Sequence, residues 1–374
     1  MRTVLATSHT PTLDSGRARR TYGLVRALAA HGRLDFVYGA FGAENPDPSY
    51  ESLDGVRLHR VGRPSPPERA AAYLRGRLSG VPDDFARGIW PGVASVATKL
   101  ADKDEDVRLI AEGPIAAAAL LPHAKRHPAI YSAHNLESSF RHRLTDTGMS
   151  LRALERFERL LLERYAESWM VSPADMQGAA TLAPTARLRL VPNVVDVAAI
   201  APVPPRSGQR SLLFVADLTY EPNREGLSFL LDSAMPAIWE RAPEIRLSVA
   251  GKGSDAIDAT DPRVEGLGFV PDLGALYGAA GCAVVPLLEG GGSPLKFVEA
   301  LAFAVPVVAT PLAAAGLEVQ AGIHYAEGEA DGESFAQAVL DALEPQRGNA
   351  LAAAGRELAE REYSIEALER RLAP

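Results

Sequence analysis

Short apolar runs alternate with helical stretches through the first half of the chain. Runs of this length, rich in Val, Ile and Leu and separated by polar loops, are typical of buried strands. Alternation of strands and helices at this spacing predicts a parallel sheet with helices on both faces. The predicted strands are Thr3–Ala6, Leu34–Tyr38, Val56–Val61, Val107–Ala111, Ala129–Ser132, Ser168–Val171 and Leu188–Val191.

Two helices in this half show apolar residues at helical spacing. The first is predicted over Ala18–Ala30, and we interpret Arg17, Arg19 and Arg20 at its start as helix surface. The second, near Ser138–Ala166, is long and strongly charged. We interpret its arginines and glutamates as a solvated face.

A second alternating series follows the stretch Ala201–Arg210, which carries three prolines without periodicity and which we interpret as an interdomain linker. Helices are predicted over Gly226–Arg241, Leu273–Ala279 and Leu295–Ala304. Two doubly wound domains in tandem would place a ligand cleft at the carboxyl ends of both sheets. The predicted strands of this series are Leu212–Ala216, Arg246–Ala250, Val264–Leu267, Cys282–Leu287 and Val307–Ala309.

Composition is ordinary for a globular protein, with 374 residues, 47% of them hydrophobic, and the length suits two domains. The N-terminus, MRTVLATSHT, turns polar after five residues, which argues against a signal peptide. The apolar runs Ile115–Leu121 and Val305–Leu317 are too short or too broken by proline to span a bilayer, so we expect a cytoplasmic protein. The single cysteine, Cys282, predicts a buried structural thiol and excludes a disulfide framework.

Charge is divided unevenly between the two halves. Residues 1–196 carry 26 Lys and Arg against 22 Asp and Glu, and the rest carries 13 against 25, for a net charge of −8. A basic half could approach an anionic acceptor or, weakly, a membrane surface, although scattered arginines usually form a solvated surface. No nucleic-acid partner is expected.

The strongest chemical signal lies in Val284–Thr310, where a valine-rich run is followed by three glycines, a helical stretch and another valine-rich run. Ser293 suits a helix N-cap and Pro294 the first helical position. Lys296 and Glu299 then share one face of the first turn. A cation beside free helix amides predicts a phosphate site, and a carboxylate one turn further suits a ribose diol. The alternative is an ordinary strand–helix–strand unit with both side chains in solvent.

These residues also resemble a known signature. The pattern Gly-Gly-x-x-x-Lys-x-x-Glu-Ala, followed by Pro306–Thr310, resembles the donor-binding motif of glycosyltransferase family 4, whose members have the GT-B fold. The resemblance implies an α/β chain of two doubly wound, Rossmann-like domains facing a central cleft. It implies an acceptor domain at 1–196, a nucleotide-sugar donor domain at 197–360, and a C-terminal helix, 361–374, that packs back on the first domain.

The implied activity is transfer of a sugar from a nucleotide diphosphate, with retention of anomeric configuration, to a glycan, lipid or small molecule. No carboxylate cluster has the spacing of a metal site, so neither a metal nor another cofactor is predicted. Lys296, with Arg224, would neutralise the diphosphate, and His134 would orient the sugar. The other donor-site candidates are Glu299, Gly291, Gly292, Ser293, Pro294, Leu295, Gly268, Phe269, Val270 and Asn223, and the acceptor or cleft candidates are Gly16 and Glu112.

The chain departs from the family pattern at several positions. Gly291 stands where many relatives have the first of two glutamates eight residues apart, the second being Glu299. Losing that carboxylate predicts looser discrimination among sugars. Asp217 and Glu225 stand where many relatives carry an arginine and a lysine.

Two other functions are compatible with tandem doubly wound domains. A GT-B relative that binds a nucleotide sugar without turnover would tolerate these departures. A nicotinamide-dependent dehydrogenase is a weaker alternative, because the loop Thr7–Gly16 after the first strand lacks Gly-x-Gly-x-x-Gly. A phosphate-loop nucleotidase is excluded for want of its Gly-x4-Gly-Lys-Ser/Thr motif. No oligomeric state follows from these patterns.

Overall fold

The computed structural model describes residues 1–41, 45–104, 106–139, 150–257, 261–290 and 292–373. The chain forms two compact units. Unit 1 consists of Met1–Asn193 together with Leu368–Pro374, and unit 2 consists of Val194–Ala367.

The sheet of unit 1 has seven parallel strands in the order β3-β2-β1-β4-β5-β6-β7. The strands are β1 Arg2–Thr7, β2 Leu34–Gly39, β3 Val56–Val61, β4 Val107–Glu112, β5 Ala129–Ser132, β6 Glu167–Met170 and β7 Leu188–Leu190. The winding direction reverses between β1 and β4, which pair in register from Arg2 with Val107 to Thr7 with Glu112. Loops after these two strands therefore line a topological switch point, where such sheets usually bind ligands.

Both faces of this sheet are buried. Val4, Leu5 and Ala6 are each 0% exposed, although successive side chains of a strand point to opposite faces. The first helix begins at Gly16, two residues before the predicted start, because the Ser15 hydroxyl accepts a hydrogen bond from the backbone N–H of Ala18. The helices are Gly16–Ala29, Pro48–Glu51, Pro66–Leu78, Asp83–Arg87, Pro91–Ala101, Pro114–Leu120, Leu151–Arg164 and Pro173–Leu182, with 3₁₀ turns at Leu121–His123 and Glu137–Ser139.

The sheet of unit 2 has six parallel strands in the order β10-β9-β8-β11-β12-β13. They are β8 Ser211–Val215, β9 Arg246–Ala250, β10 Val264–Gly266, β11 Cys282–Val285, β12 Val307–Ala309 and β13 Ala326–Glu327. The switch point lies between β8 and β11, where Cys282 pairs with Leu212. Two doubly wound parallel sheets confirm the predicted α/β class, and Cys282 is buried in β11 as expected.

The helices of unit 2 are Glu221–Phe229, Met235–Arg241, Gly274–Ala279, Leu295–Ala302, Pro311–Ala314, Gly332–Leu343 and Pro345–Glu362, and the last helix, Ile365–Leu372, begins in unit 2 and continues into the residues of unit 1 from Leu368 on. The single helix predicted over Gly226–Arg241 is wrong in its start and its regularity. It begins at Glu221, with Pro222 in its first turn, and a π-helical turn at Leu230–Ala234 interrupts it before Pro236. A proline within a helix removes one backbone donor, which favours such a local change of hydrogen bonding. Short 3₁₀ turns lie at Val197–Ala199 and Ser254–Ala256.

The interpretation of Ala201–Arg210 as a linker is wrong, because this segment belongs to unit 2 and is anchored to it. The Arg206 guanidinium donates to the carbonyl oxygens of Tyr277 and Gly278, each at 2.9 Å. The Arg206 backbone N–H also donates to Asn349 Oδ1 at 2.6 Å. These hydrogen bonds hold the segment against unit 2.

The last residues of the chain pack on unit 1. His31 Nε2 lies 2.8 Å from the carbonyl oxygen of Glu369, and Arg108 donates to the carbonyl oxygen of Leu372 at 3.1 Å. Within the described ranges, no helix is both long enough and apolar enough to cross a bilayer.

Candidate functional site

The carboxyl ends of the unit 2 strands bring together several predicted donor-site residues. β8 ends at Val215 and leads through a loop to helix Glu221–Phe229, whereas β11 ends at Val285 and leads to helix Leu295–Ala302. Because β8 and β11 are neighbours at the switch point, side chains about 70 residues apart in sequence, such as Asn223 and Lys296, meet there.

The helix that carries Lys296 begins at Leu295, as the predicted range Leu295–Ala304 has it, but its cap differs from the prediction. Pro294 has an extended ψ of 109° and is the cap residue, so Ser293 is not the N-cap. Pro294 makes no side-chain cap, and the N–H groups of Phe297 and Val298 donate to its carbonyl oxygen, which leaves the first-turn amides of Leu295 and Lys296 for an anion. Ser293 is buried just before it, and Gly291 lies outside the described residues.

Lys296 lies among groups that hold and partly desolvate its ammonium. Nζ donates to Asn223 Oδ1 at 2.6 Å and stands 5.3 Å from the centre of the Phe214 ring. Burial lowers the pKa of Lys296 to about 8, although the charges of Glu299 and Asp217 act to raise it. Burial disfavours the charged form of this ammonium. A phosphate bound beside it would favour the charged form again.

Asn223 is itself fixed by the loop after β8, because its side-chain amide donates to the carbonyl oxygen of Asp217 at 2.7 Å. Arg224, the other predicted cation, donates to the carbonyl oxygen of Leu218 at 2.9 Å and forms an ion pair with Glu221 of the same helix. Arg224 is therefore partly neutralised and half-exposed, and Lys296 is the more buried of the two cations.

Glu299 follows Lys296 on the same helix and is 9% exposed. This placement differs from the solvent-facing alternative, because Glu299 is buried and Lys296 donates to Asn223. Gly292, in the loop before the helix, has a φ of +73°, which disfavours any residue with a Cβ. A Cβ at Gly316 would lie 1.8 Å from the Gly292 carbonyl oxygen, so the two backbones pack in direct contact.

The donor-site candidates Gly268, Phe269 and Val270 follow β10. The Gly268 backbone N–H donates to Ser254 Oγ at 2.9 Å, and its carbonyl oxygen accepts from the Gly251 N–H at 2.8 Å. Phe269, next in the chain, is 64% exposed, and Val270 is half-buried. The glycine is thus held by the protein, while the Phe269 ring is accessible to a ligand.

A second cluster of charged groups lies at the switch point of unit 1. Glu112, the last residue of β4, is 2% exposed, and His134 Nε2 lies 3.2 Å from its Oε1. Arg20 Nε lies 3.6 Å from the same oxygen, and Thr21 donates to it at 3.4 Å. The structure therefore joins the two predicted residues Glu112 and His134 in one buried network.

The electrostatics of this network fix the protonation of its members. Burial lowers the pKa of His134, although the hydrogen bond to Glu112 opposes this. Burial acts to raise the pKa of Glu112, but the contacts with His134 and Arg20 hold it below its usual value. Near neutral pH the imidazole is therefore neutral and donates Nε2–H to an ionised carboxylate, which makes Nδ1 an acceptor.

Gly113 permits the close approach of the His134 ring. Its φ is +85°, and a Cβ there would lie 2.6 Å from His134 Cε1. Only glycine satisfies both the backbone conformation and the contact. The turn after β4 is thus shaped around the imidazole.

Two buried carboxylates hold the backbone that follows His134. Glu158 accepts hydrogen bonds from the backbone N–H groups of Glu137, at 2.5 Å, and Ser138, at 3.1 Å. Asp175 accepts from the N–H of Leu136 at 2.9 Å. Burial raises the pKa of Glu158 to about 7 and also raises that of Asp175. These carboxylates position the segment without contacting the ring itself.

Arg20 and Glu158 correct the interpretation of charged helix residues as surface. Arg20 is 4% exposed and donates to Ser132, Val191 and Asn193 besides its ion pair with Glu112. The burial of both residues could have been predicted from their spacing to apolar residues of the same helix. Arg20 stands four residues before Leu24 on an apolar face, and Glu158 stands four residues after Leu154 on another. A charged residue inside an apolar stripe needs a buried partner.

Gly16, a predicted cleft residue, is the exposed first residue of the helix that carries Arg20. None of the described contacts indicates that it binds a ligand.

His9 lies in the loop before that helix. Its ring packs edge-on against Phe41 at 5.6 Å, and burial lowers its pKa to about 4. Across the described parts of the chain, no three His, Cys, Asp or Glu side chains group closely enough to hold a metal ion.

Two family models match successive parts of the chain. Residues 15–194 match the glycosyl transferase 4-like domain, and residues 209–345 match glycosyl transferases group 1. No curated protein matches the sequence.

Solved structures similar to this chain share its fold at low sequence identity. Sucrose-phosphate synthase from Thermosynechococcus elongatus superposes with a TM-score of 0.72 at 18% identity, over 99% of this chain and 96% of that one. HepE from Anabaena, in complex with UDP and glucose, superposes with a TM-score of 0.69 at 15% identity, over 100% and 98% of the two chains. A glycosyltransferase from Rickettsia africae superposes with a TM-score of 0.64 at 14% identity, over 99% and 96%.

The two family matches and the shared fold agree with the family that the signature around Lys296 resembles. Together they exclude the nicotinamide-dependent dehydrogenase. The chain belongs to the GT-B glycosyltransferases, with a glycosyltransferase 4-like domain followed by a group 1 domain.

Proposed function

We propose that this glycosyltransferase takes its sugar from a UDP-sugar. The observation that carries the proposal is Lys296, a desolvated ammonium held at 2.6 Å from Asn223 at the switch point of unit 2. Such a cation matches a nucleotide diphosphate. Uracil as the base is supported by the similar HepE, whose structures hold UDP or UDP-glucose.

The chemistry requires charge stabilisation on the leaving group. The bond between the anomeric carbon and the β-phosphate oxygen breaks, and its electron pair remains on UDP. The acceptor oxygen forms the new bond to the anomeric carbon, and its proton passes to the departing diphosphate. Lys296 and the first-turn amides of Leu295–Ala302 would offset the charge that develops on the diphosphate. We propose that no metal is needed, because this charge comes from the chain itself.

His134 has a separate proposed role. With Nε2–H donated to Glu112, its Nδ1 can accept a hydrogen bond from a sugar hydroxyl and so orient the sugar. The family resemblance supports this role, and it also supports retention of anomeric configuration. We propose that unit 1 binds the acceptor, whether glycan, lipid or small molecule.

Release of UDP from a panel of UDP-sugars, with candidate acceptors and with or without a chelator, tests this function. We expect the wild type to turn over and Lys296→Gln to be slower by on the order of 10²–10³. Lys125→Gln, an exposed lysine of unit 1, is the matched control and should be unchanged. A product of inverted configuration in NMR would exclude retention. UDP-sugar binding without any turnover would favour the non-catalytic binding protein.

A further inference from the structure

The helix Pro66–Leu78 in unit 1 presents apolar side chains to solvent. Leu78 is 80% exposed and Leu74 is 58% exposed, the first and third largest exposed fractions among the large hydrophobic residues of the described chain. Ala70 stands four residues before Leu74 and is also exposed. Residues four apart in a helix share one face, so these side chains form a continuous outward stripe, which we call the Leu74–Leu78 stripe.

The opposite face of the same helix packs on unit 1. Ala72 and Gly76, also four residues apart, are its buried positions. A Cβ at Gly76 would lie 2.8 Å from Ile89 Cδ1, so this side is already in close contact. The leucines therefore cannot reach the core of unit 1 without unpacking the helix.

The helix is well formed and its ends are satisfied. The Ser65 backbone N–H donates to Glu68 Oε2 at 2.8 Å in a capping box, and Arg75 and Arg77 lie in the last turn, where cations are favoured by the helix dipole. Capping and the dipole explain these polar residues. They do not explain leucines turned towards water.

Basic residues surround this stripe in the sequence. The segment 57–78 contains six arginines and a single acidic residue, Glu68, a net charge of +5 in a chain whose net charge is −8. All six arginines, Arg57, Arg60, Arg63, Arg69, Arg75 and Arg77, are exposed. Of these, only Arg77 is joined to a carboxylate among the described residues, at 3.9 Å from Asp83. Asp83 is in turn neutralised by Arg87 at 2.6 Å.

We propose that the Leu74–Leu78 stripe and its arginines bind the surface of an anionic lipid bilayer. An apolar helix face flanked by arginines is the composition of helices that lie in the membrane interface, since their aliphatic side chains enter the lipid and their cations meet the head groups. A protein partner fits less well, because protein interfaces centre on Trp and Tyr. The one aromatic residue of this helix, Tyr73, turns away and donates to Asp83.

This inference is independent of the proposed donor and can be tested without any nucleotide. The full chain is mixed with vesicles of phosphatidylcholine and phosphatidylglycerol, or of phosphatidylcholine alone, and the bound fraction is measured by flotation. We expect binding to the anionic vesicles only, weakened by added salt, because screening shortens electrostatic attraction.

Two variant pairs separate the apolar and the electrostatic contributions. Leu74→Ser with Leu78→Ser should lower the partition coefficient roughly tenfold or more, since the aliphatic burial is lost. Ile323→Ser, at a residue 46% exposed in unit 2, is its matched control. Arg63→Gln and Arg75→Gln should each lower binding about fivefold, as expected for one cation near an anionic surface. Arg246→Gln, an exposed arginine of unit 2, is the control.

Thermal unfolding should be unchanged in all variants, because every mutated side chain is exposed. Failure of the wild type to float with anionic vesicles, or equal flotation of the leucine variant, would overturn the proposal. So would a wild-type dimer in solution that the leucine variant converts to a monomer, since the stripe would then be an interface between copies of the chain.

Discussion

The ammonium of Lys296 gives the donor site a pH dependence of its own. Burial lowers the pKa of Lys296 to about 8, so the group loses its proton above that pH. A diphosphate binds the charged form, and the affinity for UDP should therefore fall about tenfold per pH unit above roughly pH 8. Calorimetric titration between about pH 7 and 9 measures this. Lys296→Gln should bind more weakly and with a flat profile, and a wild-type profile that is equally flat would contradict the assignment.

Burial of Glu158 makes the unfolding free energy of the chain depend on pH. Burial raises its pKa from 4.5 to about 7, so the folded chain keeps a proton that the unfolded chain has released between these values. The stability from this group is complete below about pH 4.5 and is lost as the pH rises through 7, by ~3 kcal/mol. Urea unfolding of Glu158→Gln should lack this loss. Glu163→Gln, exposed on the same helix, should keep it, and parallel profiles for the wild type and Glu158→Gln would refute the proposed titration.

Whether the sequence predicts the contacts of a residue depends on how far along the chain its partners lie. Lys296 and Glu299 lie on one helix, where the charge of Glu299 acts on the ammonium, and local spacing alone predicts this placement. The partners of Arg20 lie 92 to 173 residues away, in Glu112, Ser132, Val191 and Asn193, and no local pattern specifies them. The apolar stripe could reveal that Arg20 is buried, but only the fold reveals what it contacts.

At the scale of elements, the turn after β4 links the backbone to the candidate site. Gly113→Ala would place a Cβ 2.6 Å from His134 Cε1 at a φ of +85°. We expect turnover to fall at least tenfold while UDP affinity is unchanged, because the ring must move and the diphosphate site is in unit 2. The unfolding free energy should also fall by about 1–2 kcal/mol from the backbone conformation alone.

Gly80→Ala is the matched control for this substitution. Gly80 also has a φ of +85°, yet no atom lies within 4 Å of its added Cβ. It should show the same loss of stability with normal turnover. Equal turnover in both alanine variants would show that the fit between Gly113 and His134 does not matter for activity.

Strands were predicted more accurately than helix boundaries. β3, β5, β9 and β12 have the predicted bounds, and the runs of β5 and β12 are largely or wholly buried, as expected for strands inside a parallel sheet. Helix Leu295–Ala302 has the predicted start but ends two residues early, and its cap is Pro294 and not Ser293, because Pro294 keeps an extended ψ, which its ring permits as readily as the helical one. The short edge strand Ala326–Glu327 was missed, since two residues carry no periodicity.

At the scale of the whole molecule, the two units repeat one arrangement. In each sheet a charged group lies at or beyond the carboxyl end of a strand beside the switch point, since Glu112 is the last residue of β4 in unit 1 and Lys296 lies in the helix after β11 in unit 2. The alternation of strands and helices predicted both sheets, and topology then predicts where ligands bind. The alternation of strands and helices does not predict which sugar or acceptor binds, because backbone groups and side chains distant in sequence make the contacts with these ligands.

The central claim is that Lys296 in unit 2 holds the diphosphate of a UDP-sugar, and titration calorimetry of the full chain with UDP tests it most directly. The account predicts saturable binding of UDP that is tighter than that of ADP or GDP. It also predicts weakening by roughly 10-fold to 100-fold in Lys296→Gln, the effect of losing a charge-assisted hydrogen bond. Binding of UDP with equal affinity by the wild type and Lys296→Gln, or no binding of any nucleoside diphosphate, would contradict it.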